Sequence, residues 1–310
     1  MVTEKGSLAD LELDESQADV PTIAEYGDKK GRTFVGARSS PSVRSIRVVA
    51  TLVALVFSVA GPPASGIVLR HDTDSNQYEA DREHFPTLFA LYRTEAGHRD
   101  CVATLIAKRW AITAAHCTKD DILTSSIADG GYSIEIAGAK LDITRVIRHE
   151  ASDAAPKRDL ALLYLSEPVE HVQPSRLYRQ SDELGQTILI AGWGDSGNGL
   201  DGVTHADGKF RVAKNLVDTV RDGWLIWRFD DPRSRASVAL EHEGVAGPGD
   251  SGGPAFIATT EGFAVAGISS GQKTSGRPEG TYGVEEYYVR VSQFVGWIDA
   301  AISPTESVRP

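Results

Sequence analysis

The stretch GPGDSGGP at residues 247–254 decides how the rest of this 310-residue sequence is interpreted. It places Ser251 among glycines, which lack a side chain and can adopt the backbone angles of a tight turn. Such a turn lets backbone N–H groups converge beside the serine. A serine hydroxyl is a weak nucleophile, so a base must remove its proton as it attacks. The stretch therefore predicts a base, and a group that orients this base, elsewhere in the chain.

Two upstream segments contain residue types that can fill these roles. Residues 113–117 have the sequence TAAHC, which includes His116, and residues 159–163 have the sequence DLALL, which begins with Asp159. A histidine can accept the serine proton and later give it to a leaving amine, because its pKa lies near neutrality. A neighbouring aspartate holds the imidazole in the useful tautomer and stabilises its charged form. We therefore predict His116, Asp159 and Ser251 as a catalytic triad.

The three motifs TAAHC, DLALL and GDSGGP, in this order, resemble the trypsin/chymotrypsin family over residues 67–302. The resemblance implies an all-β fold of two six-stranded antiparallel barrels, with the active site between them and a C-terminal helix. It also implies that the amides of Gly249 and Ser251 form an oxyanion hole. The implied function is that of a serine endopeptidase, which hydrolyses protein or peptide substrates through an acyl-enzyme intermediate. Neither a cofactor nor a metal is expected.

The pattern of short apolar runs between turn residues agrees with this fold independently. Many short strands separated by Gly, Pro, Asp and Ser are typical of an all-β barrel or sandwich. The predicted strands include residues 87–92, 110–113, 133–136, 159–165, 187–191, 263–268 and 287–291.

Two other segments have distinct patterns. Residues 291–302 carry apolar side chains at helical spacing, which predicts a C-terminal helix with Ser292 as its N-cap. Residues 303–310 would then be a tail. Residues 195–208 are rich in Gly and Asp and predict a long surface loop. Their carboxylates could hold calcium, although their spacing does not match an EF-hand loop.

Cys101 and Cys117 are the two cysteines of the chain. Their residue type allows a disulfide, two free thiols, or part of a zinc site completed by a nearby histidine. The segment that joins them resembles the family's disulfide loop beside the catalytic histidine, which implies that they are bonded. Many animal relatives have further disulfides around the serine, and their absence suggests a bacterial-type member of the family.

The substrate-binding strand is expected at residues 267–272, again by resemblance. Ser270 matches a serine of the family, whereas Gly271 and Gln272 stand where the family usually has an aromatic residue followed by glycine. These two residues are therefore expected to alter the width of the specificity pocket.

The floor of that pocket is expected six residues before the nucleophile, at Val245. An apolar floor predicts uncharged, medium-sized P1 residues rather than trypsin-like cleavage after Lys or Arg. Glu286 aligns near the pocket wall, where an acid would favour basic P1 residues. The alternative is that Glu286 is an exposed charge at a strand end.

Maturation by a new N-terminus is a further implication of the resemblance. In the family, the freed amine of an Ile-Val-like pair binds the aspartate beside the nucleophile, which here would join Ile67 to Asp250. Gly66 precedes Ile67, and Leu69-Arg70 replaces the family's usual pair of glycines. The alternative is an ordinary signal cleavage without an activating role.

The preceding segment predicts export. Residues 48–60, VVATLVALVFSVA, follow two arginines and precede a small-residue cleavage pattern ending at Gly66, so residues 44–66 indicate a signal peptide. The apolar run has thirteen residues, fewer than the ~20 of a membrane anchor, which is the competing interpretation. Residues 1–43 are polar and predict a disordered extension.

Composition limits the alternative functions. The net charge of -11 gives no basic surplus for nucleic acid or an anionic membrane, so neither is an expected partner.

A catalytically silent binding homologue remains an alternative, although such proteins usually lose a triad residue. An esterase is another alternative, but α/β-hydrolases carry the serine in a G-x-S-x-G motif. The oligomeric state has no signal in the sequence.

Overall fold

The computed structural model describes residues 66–92, 99–150, 158–236 and 238–303. Residues 1–43, residues 44–65 of the predicted leader and residues 304–310 of the tail lie outside these ranges. The strands are β1 (Val68–Leu69), β2 (Leu88–Tyr92), β3 (Arg99–Ala107), β4 (Trp110–Thr113), β5 (Tyr132–Ile136), β6 (Ala139–Arg148), β7 (Ala161–Leu165), β8 (Arg176–Leu177), β9 (Thr187–Gly192), β10 (Ser196–Asn198), β11 (Gly202–His205), β12 (Arg211–Leu216), β13 (Thr219–Arg221), β14 (Trp224–Arg228), β15 (Gly244–Val245), β16 (Pro254–Thr259), β17 (Gly262–Lys273) and β18 (Glu285–Arg290). The helices are α1 (Asp121–Ala128) and α2 (Val295–Ile302).

The first sheet has six strands in the spatial order β2-β3-β4-β7-β6-β5, and all neighbouring strands are antiparallel. Its outer strands β2 and β5 contact each other, so the sheet curls into a barrel-like shape. Alternate side chains point inward, as period-2 strands require, and Phe89, Leu105 and Leu163 fill the interior.

The second barrel-like sheet follows the order β12-β9-β16-β17-β18-β14-β13, and β8 joins β17 in parallel. Together with the first sheet and α2, it confirms the predicted all-β class with two barrels and a C-terminal helix. The second sheet exceeds six strands because two short strands, β8 and β13, are added to it, and β13 forms a hairpin with β14. Its turn contains Asp222 and Gly223 at φ values of 54° and 87°, the left-handed conformation that favours tight two-residue turns.

A small third sheet, in the order β11-β10-β1-β15, replaces the long loop predicted at residues 195–208. Ser196 and Gly197 are buried in it, so most of this segment is a hairpin rather than a solvated loop. The predicted N-cap is also wrong. Helix α2 begins at Val295, and the Ser292 hydroxyl instead donates a hydrogen bond to Glu183.

An apolar layer lies between the two barrels and is called the inter-barrel layer below. Val102, Ile112 and Leu162 enter it from the first barrel, and Phe256 and Ile268 enter it from the second. Strand β4 is buried on both faces, because one face lies in the first barrel and the other in this layer. No helix within the described ranges has the length and apolar character needed to cross a lipid bilayer.

Candidate active site

His116 and Asp159 are brought together by two paired strands. His116 follows β4 and Asp159 precedes β7, and these strands pair with Thr113 opposite Ala161. His116 Nδ1 lies 2.6 Å from Asp159 Oδ2, and the His116 backbone N–H donates to Asp159 Oδ1 at 2.8 Å. The aspartate is therefore held at both oxygens, and the imidazole ring is held with Nδ1 towards it.

Ser270 provides a second hydrogen bond to the same aspartate. Its hydroxyl donates to Asp159 Oδ2 at 2.7 Å, next to a bulge in β17 between Ser269 and Gly271. Bulges redirect side chains, which explains how a strand of the second barrel reaches a carboxylate of the first. Burial alone would raise the pKa of Asp159, but the hydrogen bonds and charge of His116 and the Ser270 hydroxyl outweigh it and lower this pKa.

The turn that carries Ser251 needs glycine at two positions. Gly249 and Gly252 have φ values of 95° and 76°, which other residues rarely adopt. A Cβ atom at Gly252 would also lie only 2.2 Å from the Thr113 hydroxyl oxygen. Val102 N–H donates to the Ser251 carbonyl at 2.7 Å, which ties the turn to β3 of the first barrel.

The backbone around Ser251 leaves two donors available. Within the described ranges, the N–H groups of Gly249 and Ser251 donate to no acceptor, so both are available to an oxygen atom of a ligand. In the same part of the chain, no hydrogen bond joins the Ser251 hydroxyl to His116. His116 Nε2 instead lies 3.7 Å from Cys117 Sγ. Hydrogen bonds between a catalytic serine and its base are often long without substrate and shorten in the substrate complex.

Asp250 is buried beside the turn and is hydrogen-bonded by three backbone N–H groups. The donors are Ile67 at 2.9 Å, Gly194 at 2.6 Å and Gly247 at 3.0 Å. Burial raises the pKa of Asp250 to about 6, because these neutral donors offset only part of the desolvation. The sequence indicated Ile67 for this contact. It did not indicate a role for Gly194 or Gly247 here.

Ile67 adopts an unusual backbone conformation in the intact chain. Its φ value is 65°, which is unfavourable for a β-branched residue. The preceding Gly66 is buried, and a Cβ atom there would lie 2.2 Å from the Gly192 carbonyl oxygen. Because Gly66 is attached, the nitrogen that faces Asp250 is a peptide nitrogen.

The predicted pocket residues lie close together, but two of them are inaccessible. Val245 has no exposed surface, pairs with Val68 and belongs to the core of the second barrel. It therefore presents no surface to a substrate side chain in this structure. Glu286 is also fully buried within β18, so its interpretation as an exposed strand-end charge is wrong.

The Gln272 side chain spans the space beside these residues. Its Nε2 donates to the Ala246 carbonyl at 2.9 Å and to Glu286 Oε1 at 2.5 Å, and its Oε1 accepts from Gly280 N–H at 2.9 Å. Among the described residues, Glu286 Oε2 has no hydrogen-bond partner. Burial, together with the negative charges of Asp250 and Glu279, raises the pKa of Glu286 well above its ordinary value. The protonated form of this carboxyl is therefore favoured.

The two cysteines form a disulfide beside His116, with their Cα atoms 6.0 Å apart. This outcome selects one of the three alternatives that the sequence left open. Bonded sulfurs are not thiolates, so they do not ligate a metal in this state.

Comparison with known proteins agrees with this geometry. A protein-family model described as Trypsin matches residues 74–298. Serine protease SP24D of Anopheles gambiae is 30% identical over 235 residues, covering 72% of this chain and 79% of that protein. Human cathepsin G is 30% identical over 213 residues, covering 66% of this chain and 78% of that protein.

A solved structure supports the fold alone, because its sequence identity is only 19%. It is neuropsin, a serine protease expressed in the limbic system of mouse brain, with a TM-score of 0.53. The match covers 72% of this chain and 97% of neuropsin.

Together, the fold and these relatives define a serine protease. The chain belongs to the trypsin family and is a serine endopeptidase. The relatives named here are animal proteins, and they give no support to the predicted bacterial-type membership.

Proposed function

We propose that this chain cleaves peptide bonds with His116, Asp159 and Ser251 as its triad. The observation that carries this proposal is the hydrogen-bonded series from Ser270 through Asp159 to His116 Nδ1, at 2.7 and 2.6 Å. With Nδ1 donating to an ionised carboxylate, Nε2 is left as the proton acceptor of the imidazole. His116 would then accept the Ser251 proton as the serine attacks the scissile carbonyl.

The next steps use the available N–H groups. The oxyanion of the tetrahedral intermediate would accept hydrogen bonds from Gly249 and Ser251, and one such donor is typically worth about 3–4 kcal/mol. His116 then gives its proton to the leaving amine, which produces an acyl-enzyme. Water, activated by the same imidazole, releases the acyl group and regenerates Ser251.

The experiment replaces Ser251 or His116 with alanine in the purified mature protein. Each change should lower peptidase turnover by more than about 10⁴-fold, because triad residues act as a unit. A fluorophosphonate probe should label wild-type protein but not Ser251→Ala, while circular dichroism of both stays the same. Normal peptide cleavage by Ser251→Ala would overturn the assignment of Ser251 as the nucleophile. It would also argue against both alternatives, a catalytically silent homologue and an esterase that uses Ser251.

The Gln272 contacts favour small, uncharged P1 residues. A side chain that bridges Ala246, Gly280 and Glu286 fills space that a large P1 side chain would need. The sequence predicted uncharged P1 residues of medium size, and the Gln272 contacts lower that expected size. Cleavage after Lys or Arg would require Gln272 to move and would require Glu286 to ionise.

Export and maturation are part of the same proposal. Residues 44–66 would direct secretion into an extracellular or periplasmic space, without a lasting membrane anchor. Cleavage after Gly66 would turn the Ile67 nitrogen, 2.9 Å from Asp250, into an ammonium group. It would also remove the peptide that constrains Ile67 to positive φ, and the resulting ion pair would order the turn that carries Gly249 and Ser251.

A further inference from the structure

Three side chains of types that can ligate a metal meet at the candidate active site. The sulfur atoms of Cys101 and Cys117 and a ring nitrogen of His116 all lie within 4.8 Å of one another. His116 Nε2 is 3.7 Å from Cys117 Sγ. In a tetrahedral zinc site, bonds of about 2.3 Å to sulfur and about 2.0 Å to nitrogen place these two ligand atoms about 3.5 Å apart. One pair of ligand atoms is already close to this separation.

The His116–Cys101 pair lies within 4.8 Å. The third pair, formed by the two sulfur atoms, is joined by the disulfide and would have to separate. Two thiolates on one tetrahedral zinc ion lie about 3.8 Å apart. The Cα atoms of Cys101 and Cys117 are 6.0 Å apart, so side-chain rotation can provide that separation without moving the strands. The cysteines become suitable ligands only after reduction, because zinc binds thiolates.

The surroundings of His116 match those of a metal-bound histidine. Metal-ligating histidines almost always donate their other ring N–H to a carboxylate or carbonyl, which fixes the tautomer and raises ligand basicity. Here Asp159 Oδ2 lies 2.6 Å from Nδ1, and Ser270 in turn holds Asp159. The His116 side chain is 38% exposed, which provides an entry path and room for a water molecule as fourth ligand.

We propose that reduction of the Cys101–Cys117 bond creates a zinc site made of both thiolates and His116 Nε2. Two molecules of a thiol reductant would break the disulfide, yielding two cysteine thiols and one molecule of oxidised, disulfide-linked reductant. Zinc binding then releases the two thiol protons to solvent and leaves the imidazole neutral. The ion does not change oxidation state.

The consequence is that the reduced, zinc-bound chain is inactive. The lone pair of His116 Nε2 is occupied by the ion and cannot accept the Ser251 proton. This loss of activity rests on the proposed function, whereas zinc binding itself does not. Disulfides form in oxidising compartments. A chain that has not yet reached such a compartment would therefore be held silent by zinc, and oxidation would release it.

The test measures binding in the Ser251→Ala chain, which cannot digest itself. The protein is reduced with a phosphine, desalted without oxygen and titrated with Zn²⁺ or with Co²⁺ as a spectroscopic probe. Native mass spectrometry should find one ion per reduced chain and none per oxidised chain, and cobalt should give a thiolate charge-transfer band. Equal binding by both forms, or no binding by the reduced form, would overturn the proposal.

Matched variants locate the site. Cys101→Ser with Cys117→Ser should abolish binding, and Asp159→Asn should weaken it by about 10- to 100-fold through loss of the bond to Nδ1. Near-ultraviolet circular dichroism must show that the reduced chain stays folded, and unfolding on reduction would also refute the site.

In active enzyme, zinc should inhibit the reduced form at least tenfold more strongly than the oxidised form, and a chelator should restore activity. If binding occurs but inhibition does not, the role of His116 in the proposed function fails instead.

Discussion

At the scale of single residues, Gln272 is hydrogen-bonded to a buried acid, Glu286. The Gln272 side chain makes three hydrogen bonds to separate segments, and the Glu286 oxygen that it does not contact has no partner within the described ranges. Burial of a carboxyl in this condition favours its protonated form. A basic P1 side chain that reached Glu286 would favour ionisation, because opposite charges stabilise each other in a buried site.

Gln272→Gly should therefore change the P1 preference. Removing the side chain opens the space above Glu286, so kcat/KM for Lys and Arg at P1 should rise at least tenfold relative to Ala at P1. A peptide library with varied P1 measures this ratio. The gain should disappear in Gln272→Gly with Glu286→Gln, which keeps the opening but removes the ionisable group. A Gln272→Gly enzyme with unchanged preference would contradict the proposed obstruction.

The sequence indicated candidate residues of this site but few of their contacts. His116, Asp159 and Ser251 stand in short local motifs, so residue type and order were sufficient to propose them as a triad. The bridge made by Gln272 depends on the approach of Ala246, Gly280 and Glu286, which are separate in the chain. No local pattern contains that information. The burial of Glu286 was also missed, because a charged residue in a strand usually faces solvent.

At the scale of elements, strand positions could be predicted wherever side chains alternate or form a fully apolar run. Strands β4, β7 and β9 were predicted within two residues, because their apolar residues are continuous. Strands β10 and β11 were missed because their segment is rich in glycine and aspartate. They form by pairing with each other and with β1, which is a tertiary effect.

The disulfide should stabilise β3 against the turn after β4. Its cysteines are separated by 16 residues, and closing a loop of this size is worth about 3 kcal/mol in the chain-entropy model. Cys101→Ser with Cys117→Ser should therefore lower Tm by roughly 6–12 °C, at about 2–4 °C per kcal/mol for a domain of this size. Calorimetry measures the shift. Wild-type Tm that is insensitive to reduction would argue against a stabilising bridge.

At the scale of the whole molecule, buried acids make stability depend on pH. Burial raises the pKa of Asp250 to about 6 and that of Glu243 to about 7. A carboxyl whose pKa is higher in the folded state than in the unfolded state contributes stability when the pH is below the unfolded-state pKa. This contribution is lost as the pH rises through the folded-state pKa. The intact chain should therefore lose stability between about pH 4 and pH 7, on the order of 3 kcal/mol for each group.

Maturation should reduce this pH dependence. In a chain that begins at Ile67, the ammonium group would pair with ionised Asp250, so that carboxylate would no longer need a proton. The amine's own folded pKa is raised above its unfolded value of roughly 7.7–8.0, so its stabilisation is lost only at more alkaline pH. Tm measured from pH 5 to pH 7.5 should fall less for this chain than for one that retains Gly66 and the leader.

Two observations check the maturation prediction. Glu243→Gln should remove a similar part of the pH dependence from both chains, because Glu243 is untouched by cleavage and is therefore a matched control. N-terminal sequencing of the active enzyme should find Ile67 first. A fully active protein that begins well upstream of Ile67 would refute the activating role.

The inter-barrel layer also determines what happens to a chain divided between β8 and β9. Each fragment would carry one half of a continuous apolar surface, including Ile112 and Leu162 on one piece and Phe256 and Ile268 on the other. Burial of such surface is the main favourable contribution to association. Either piece would aggregate when produced alone, whereas coexpressed pieces would reassemble. Because the proposed catalytic residues His116 and Ser251 lie on different pieces, proteolysis would report that reunion, and the fold could serve as a split reporter.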